Sequence, residues 1–160
     1  MNPYQDDLGT HDPLAVLPAS PGAVRALVAQ HGPSAYAVAS GPGKWTVAQI
    51  LVHLAQVDMA YGLRARMAIT TPGYQVQPFD QDRWMNIEPD MPGEEALATW
   101  EAFRRFNVAF FRGLNDAQWD TPFEHPERGS MTVRIIADLM AGHDLHHLEQ
   151  LRDLLSVRGA

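Results

Sequence analysis

Three histidines lie within five residues of one another in the segment His143-Asp144-Leu145-His146-His147. On a helix, at about 100° per residue, His143 and His147 are about 40° apart and fall near the middle of an apolar stripe. Two neutral imidazoles at this spacing can bind the same divalent metal ion. Buried imidazole rings are costly unless they have partners. Either a metal ion or hydrogen bonds from neighbouring helices would provide such partners. The spacing alone leaves both interpretations open.

The best candidate for a third metal ligand is His53, at the flank of the apolar stripe of another predicted helix. Periodicity permits an inward-pointing ring there without requiring one. The chain contains no cysteine, so any metal must be bound by His, Asp or Glu. The same composition excludes disulfides and a cysteine nucleophile.

The histidine segment also fits the H-x-x-x-H pattern of zinc peptidases, in which a glutamate beside the first histidine is the general base. Asp144 would take that role here, although its side chain is one methylene shorter than glutamate. Only 13 residues follow His147, which leaves little chain for a further zinc ligand. We therefore expect the peptidase to be the weaker alternative.

Composition limits the classes of protein that need consideration. The 12 Lys and Arg residues against 19 Asp and Glu give a formal net charge of -7, which argues against a nucleic-acid partner. With 46% hydrophobic residues, residues 1–160 are expected to form one domain with a sizeable core. The longest apolar stretch, around 47–55, is interrupted by Gln49 and His53, so no membrane span is expected. No secretory signal is recognised, and we expect a cytoplasmic protein.

Hydrophobic periodicity predicts an all-α fold, a four-helix bundle. The helices are expected at about 21–31, 46–69, 93–114 and from 132 onward, after an irregular lead-in over 1–19 and without strands of useful length. Thr46 and Gln49 have the spacing of a capping box at the start of the second helix. The long connection over 72–92 is typical of a crossover or a functional segment.

Three further residues are candidates for contact with a metal ligand or a substrate. Gln150 lies on the same helix face as His143, where it could orient a ligand or bond a helix carbonyl. Arg83 and Trp84, in the 72–92 connection, could bind a substrate carboxylate and form a pocket wall. An ordinary loop packed by one aromatic residue explains these two residues equally well.

Two motifs occur together in this chain. They are Trp45-Thr46-x3-Ile50-Leu51-x-His53-Leu54 and His143-Asp144-x2-His147-Leu148-x-Gln150-Leu151. In this order and spacing they resemble the DinB/YfiT-like superfamily. The resemblance covers most of the chain and implies a four-helix bundle of up-down-down-up topology, commonly dimeric, with a crossover between its second and third helices. It also implies one divalent metal ion, held by His53, His143 and His147.

Three protein ligands leave coordination positions open, as in catalytic metal sites. Zinc and nickel are equally compatible with three imidazole ligands. The resemblance implies an enzyme that acts on a small-molecule substrate, foremost a transferase or isomerase with a low-molecular-weight thiol such as mycothiol or bacillithiol. A metal-dependent hydrolase is the first alternative. A non-catalytic metal- or ligand-binding dimer that acts in a stress response is the second.

Overall fold

The computed structural model describes residues 2–88 and 90–156. Its helices and strands in this part of the chain are α1 (Gln5–Leu8), α2 (Pro13–His31), a 3-10 helix (Pro33–Ala37), α3 (Val47–Thr70), α4 (Gln81–Ile87), α5 (Gly93–Arg112), α6 (Asp116–Trp119), β1 (Pro122–His125), β2 (Gly129–Thr132) and α7 (Val133–Ser156). Within the described ranges, none of the helices is long and apolar enough to cross a membrane.

The four long helices α2, α3, α5 and α7 form the bundle. Both α2 and α3 pack against α5 and α7. Helices α3 and α5 run parallel, because Asp58 contacts Trp100 while Arg66, two turns further along, contacts Asn107. The segment between these helices, which contains α4, therefore crosses over, and the predicted up-down-down-up bundle is confirmed. The predicted capping box of Thr46 and Gln49 is present at the start of α3.

The first bundle helix begins earlier than predicted. Asp12 caps α2 by accepting a hydrogen bond from the backbone N–H of Leu14, and Pro13 occupies the first turn, where its missing N–H is not needed. The prediction of an irregular segment over 1–19 was therefore wrong, since α1 and the start of α2 lie there. Pro18 and Pro21 lie inside α2. Pro18 has the pattern of an irregular segment, and Pro21 has that of a first helical residue, so the sequence predicted the helix start at 21.

A two-stranded antiparallel hairpin, β1 and β2, precedes α7 and was not predicted. Phe123 pairs with Met131, and both side chains are buried. Each strand has four residues, too few for a recognisable alternation of polar and apolar positions.

Buried polar residues occupy the level between two apolar clusters of the bundle. One cluster contains Trp100 and Leu151, and the other contains Phe111 and Met140. On α5 the polar residues between the clusters are Asn107 and the charged Arg104, each 2% exposed. A charged side chain at this depth requires partners on the adjacent helices.

Arg104 has those partners on three other helices. Its guanidinium donates to Asp58 on α3, with Nη2 and Oδ2 2.6 Å apart, and to Asp144 on α7, with Nη2 and Oδ1 3.0 Å apart. Its Nη1 also donates to the carbonyl oxygen of Leu17 on α2, at 3.0 Å. That carbonyl is available because Pro21, one turn later, has no N–H to bond it. Arg104 thus joins all four bundle helices.

We expect Arg104→Met to lower the free energy of unfolding by about 3–5 kcal/mol, because two buried carboxylates lose their counter-ion. Arg105 is the exposed neighbour on α5, and the same substitution there should change it by less than about 0.5 kcal/mol. Urea denaturation of both variants measures the difference. Equal losses would show that the buried ion pairs do not stabilise the bundle.

Candidate metal centre

The structure brings together three histidines from two antiparallel helices. His53 lies on α3, and His143 and His147 lie one turn apart on α7. The Nε2 atom of His143 is 3.0 Å from the Nε2 atoms of both His53 and His147. All three side chains are buried. Their nitrogens form a group that could hold one metal ion.

Hydrogen bonding alone does not account for this arrangement. A ring nitrogen either carries a proton or offers one lone pair, so Nε2 of His143 cannot donate to one neighbour and accept from the other. Three nitrogens at about 2.0–2.1 Å from a common ion, separated by angles of 90–110°, would lie about 2.9–3.4 Å apart. The observed 3.0 Å separations fit a divalent ion with imidazole ligands.

Gln150 determines which nitrogen of His147 carries the proton. Oε1 of Gln150 lies 2.7 Å from Nδ1 of His147. Because this oxygen only accepts hydrogen bonds, Nδ1 donates and Nε2 retains the lone pair that a metal ligand needs. Within the described residues, the buried Nδ1 atoms of His53 and His143 have no hydrogen-bond partner.

All three rings are held in the neutral form. Burial lowers the pKa of His53 to about 3, with a smaller contribution from His147. Burial also lowers the pKa of His147 to about 4, although its bond to Gln150 acts in the opposite direction. The pKa of His143 is well below its usual value for the same main reason, burial. Neutral imidazole is the form that coordinates metals.

Aromatic side chains fix two of the rings from outside. The rings of Trp45 and His53 have centroids 5.1 Å apart, and Tyr4 packs edge-on against His143 at 5.1 Å. Gly142 permits the second contact, because a Cβ there would lie 2.5 Å from the carbonyl oxygen of Tyr4. A side chain at position 142 would therefore displace the N-terminal segment from α7.

An open cavity of about 940 Å³ adjoins the histidines, and both His147 and Gln150 line it. Its walls come from the segment before α3, from α4 and from the last turns of α7. Charged side chains at the wall include Lys44, Asp82 and Asp153. This volume is in the range of small-molecule sites.

The other candidate residues lie outside this group. Trp84 packs against Phe79, with ring centroids 4.5 Å apart. The side chain of Arg83 is 87% exposed, and its Nε atom lies 3.5 Å from a carboxylate oxygen of Asp80. The α4 residues that reach the cavity are instead Gln81, Asp82 and Asn86, because the helix turns Arg83 and Trp84 to its other faces.

Asp144 does not take the position of a peptidase base. It is buried against Arg104 and is not among the residues that line the cavity. His146 is exposed and lies 3.5 Å from a carboxylate oxygen of Asp7. Neither residue belongs to the histidine group, and the peptidase alternative has no general base here.

The sequence did not predict the buried polar layer next to the histidines, which is formed by Asp58, Arg104 and Asp144. Asp58 lies four residues after Leu54, on the apolar stripe of α3. Arg104 likewise lies four residues after Trp100, on the apolar stripe of α5. Charged residues at core positions of two helices could have indicated a buried ion pair. No comparable signal in the sequence pointed to Tyr4.

Known proteins share this sequence pattern and this fold. The family model described as the DinB superfamily matches residues 17–151. A protein of Oceanobacillus iheyensis is 31% identical over 113 residues, which are 70% of this chain and 66% of that protein. A protein of Bacillus mycoides is 26% identical over 114 residues, 70% of this chain and 65% of that protein. Both are named as candidate metal-dependent hydrolases, and the matches span just under two thirds of their length.

The structure of YfiT from Bacillus subtilis, described as a candidate metal-dependent hydrolase with an unusual four-helix bundle topology, has the same fold. The TM-score is 0.82 at 24% sequence identity, and the match covers 92% of this chain and 86% of that one. The family match extends from α2 to the last turns of α7 and includes all three histidines. The chain belongs to the DinB superfamily.

Proposed function

We propose that this protein is a metal-dependent enzyme in which His53, His143 and His147 hold one divalent ion. The observation that carries the proposal is the convergence of three Nε2 atoms beside an open cavity. A closed storage or structural site would need no such cavity, and this favours an enzyme over a non-catalytic binding protein. A bound divalent ion would lower the pKa of a water or thiol and so supply a nucleophile near neutral pH.

The protein's own residues prepare the site for that ion. Gln150 keeps the proton of His147 on Nδ1, and Trp45 packs against the ring of His53. Burial keeps the rings neutral at the pH of the cell. The ligands are therefore oriented and unprotonated before the metal binds, which reduces the cost of binding.

The substrate that we propose is a polar small molecule. The cavity wall offers one ammonium group, that of Lys44, and two carboxylates, those of Asp82 and Asp153. Lys44 is the only lysine of the chain. Both signs of charge at the wall suit a substrate that carries ionised or strongly polar groups.

Hydrolysis is the reaction that we propose first, because the curated relatives are named as candidate metal-dependent hydrolases. Transfer or isomerisation with a low-molecular-weight thiol is the second candidate. The observation that favours it is the cavity of about 940 Å³, which has room for a second reactant beside the substrate. The lack of cysteine means that such a thiol would come from solution.

A thiol-dependence assay separates the two reactions. The protein is loaded with zinc or nickel and tested on esters, amides and alkyl halides, with and without cysteine, glutathione or bacillithiol. Hydrolysis predicts turnover without thiol, and transfer predicts turnover only with it. His143→Ala gives the background rate. Equal rates in this variant and the loaded wild type on every substrate would contradict the proposal of an enzyme.

Gln150→Leu should weaken metal binding by about 10–100-fold, because the Nδ1–H of His147 loses its acceptor and the ring its orientation. Gln150→Glu is the matched variant, since a carboxylate still accepts that hydrogen bond. Competition with a chromophoric chelator measures both affinities. Unchanged affinity in Gln150→Leu would show that Gln150 does not position the ligand.

A further inference from the structure

Arg64 on α3 is a buried cation whose known contacts are uncharged. Its side chain is 8% exposed. Nη2 donates to the carbonyl oxygen of Gln77 at 2.9 Å, and the guanidinium lies 4.8 Å from the ring centroid of Tyr61 and 5.4 Å from that of Phe79. Among residues 2–88 and 90–156, no carboxylate oxygen lies within 4.0 Å of it.

The other deeply buried arginine shows what is missing at this position. Arg104 binds two carboxylates, those of Asp58 and Asp144. Because a buried charge without an opposite charge is costly, buried arginines are normally paired. Burial lowers the pKa of Arg64, whereas the two carboxylates raise that of Arg104 despite its burial. Arg64 therefore has a charge that the described residues do not compensate.

Two more nitrogen-bearing side chains face the same small cavity. Arg64 lines it together with His125 at the end of β1 and Arg128 in the hairpin turn. Nδ1 of His125 accepts a hydrogen bond from the backbone N–H of Glu127, at 3.2 Å. The proton of the neutral ring is therefore on Nε2, so this side of the ring can donate a hydrogen bond. Tyr61 and apolar side chains, including Phe123 and Leu139, form the rest of the wall.

The cavity is separate from the histidine group. Arg64 follows His53 by eleven residues on α3, which corresponds to about 16 Å along the helix axis. The centre of a water-sized sphere can occupy about 10 Å³ of this cavity, so it admits at most one species about the size of a water molecule or a monatomic ion. The hairpin is attached here to the crossover segment, because the backbone N–H of Val76 donates to the carbonyl oxygen of Glu124 at 2.8 Å. One ligand would contact α3 and the hairpin together.

We propose that this cavity binds one small monovalent anion, with chloride as the simplest occupant, between Arg64, Arg128 and His125. The anion supplies the counter-charge that Arg64 lacks and draws the exposed guanidinium of Arg128 over the opening. Polyatomic anions such as gluconate or phosphate are excluded by the volume and by the apolar walls. The bound anion therefore holds the hairpin against α3, and it does so whatever reaction the histidine group supports.

Thermal unfolding of the whole protein in chloride tests the proposal, with gluconate, which is too large for the cavity, keeping the ionic strength constant. The unfolding midpoint should rise with chloride and then saturate. In Arg128→Gln the half-saturating chloride concentration should be about tenfold higher or more, because one charged donor is lost. Arg105→Gln removes the same charge from an exposed site and should keep the wild-type response.

A crystal grown in sodium bromide gives a readout that does not depend on any variant. The anomalous difference map should show a bromide ion within hydrogen-bond distance of the guanidinium of Arg64. Absence of that peak, or equal midpoints in chloride and gluconate, would overturn the proposal. An equal chloride response in Arg128→Gln and Arg105→Gln would likewise remove Arg128 from the site.

Discussion

The position of the histidine group depends on the ion pairs of Arg104. This guanidinium binds Asp58, five residues after His53 on α3, and Asp144, the residue after His143 on α7. The two helices that carry the candidate ligands are thus joined within about one turn of those ligands. Nitrogen atoms 3.0 Å apart require the helices to be fixed to a fraction of an ångström. A layer of apolar contacts alone would allow more adjustment than directional ion pairs.

The histidine group and the ion pairs of Arg104 explain several otherwise unfavourable features of the sequence. Pro21 breaks a hydrogen bond inside α2, and the freed carbonyl of Leu17 becomes an acceptor for Arg104. Gly142 weakens the middle of α7 as a helix former, but lets Tyr4 pack against His143. Burying three imidazole rings costs desolvation free energy, and binding of a divalent ion would offset this cost. Each of these features has a local cost in stability, and each helps to fix the geometry of the histidine group.

Helical periodicity was sufficient to predict the bundle and to place His143 and His147 on one helix face. For His53, periodicity permitted an inward-pointing ring without requiring one, and the family resemblance added it to the other two. The start of α2 was missed because Pro18 has the pattern of a helix breaker and Pro21 that of a first helical residue. Both lie inside the helix, and Pro21 supports a tertiary contact. The sequence could not show which face of α4 lines the cavity, because that depends on the packing of Trp84 against Phe79. The predictions for α2 and α4 differ from the structure because tertiary contacts between helices, and not the helix propensities of single residues, determine these features.

Metal content is the most direct test of the central claim that His53, His143 and His147 form one metal site. Elemental mass spectrometry of tag-free protein, after reconstitution with zinc or nickel, should find about one ion per chain in the wild type and in His146→Ala. Folded His143→Ala and His147→Ala variants should lose it. A wild type that binds no metal, or a His143→Ala variant that retains a full equivalent, would contradict the account.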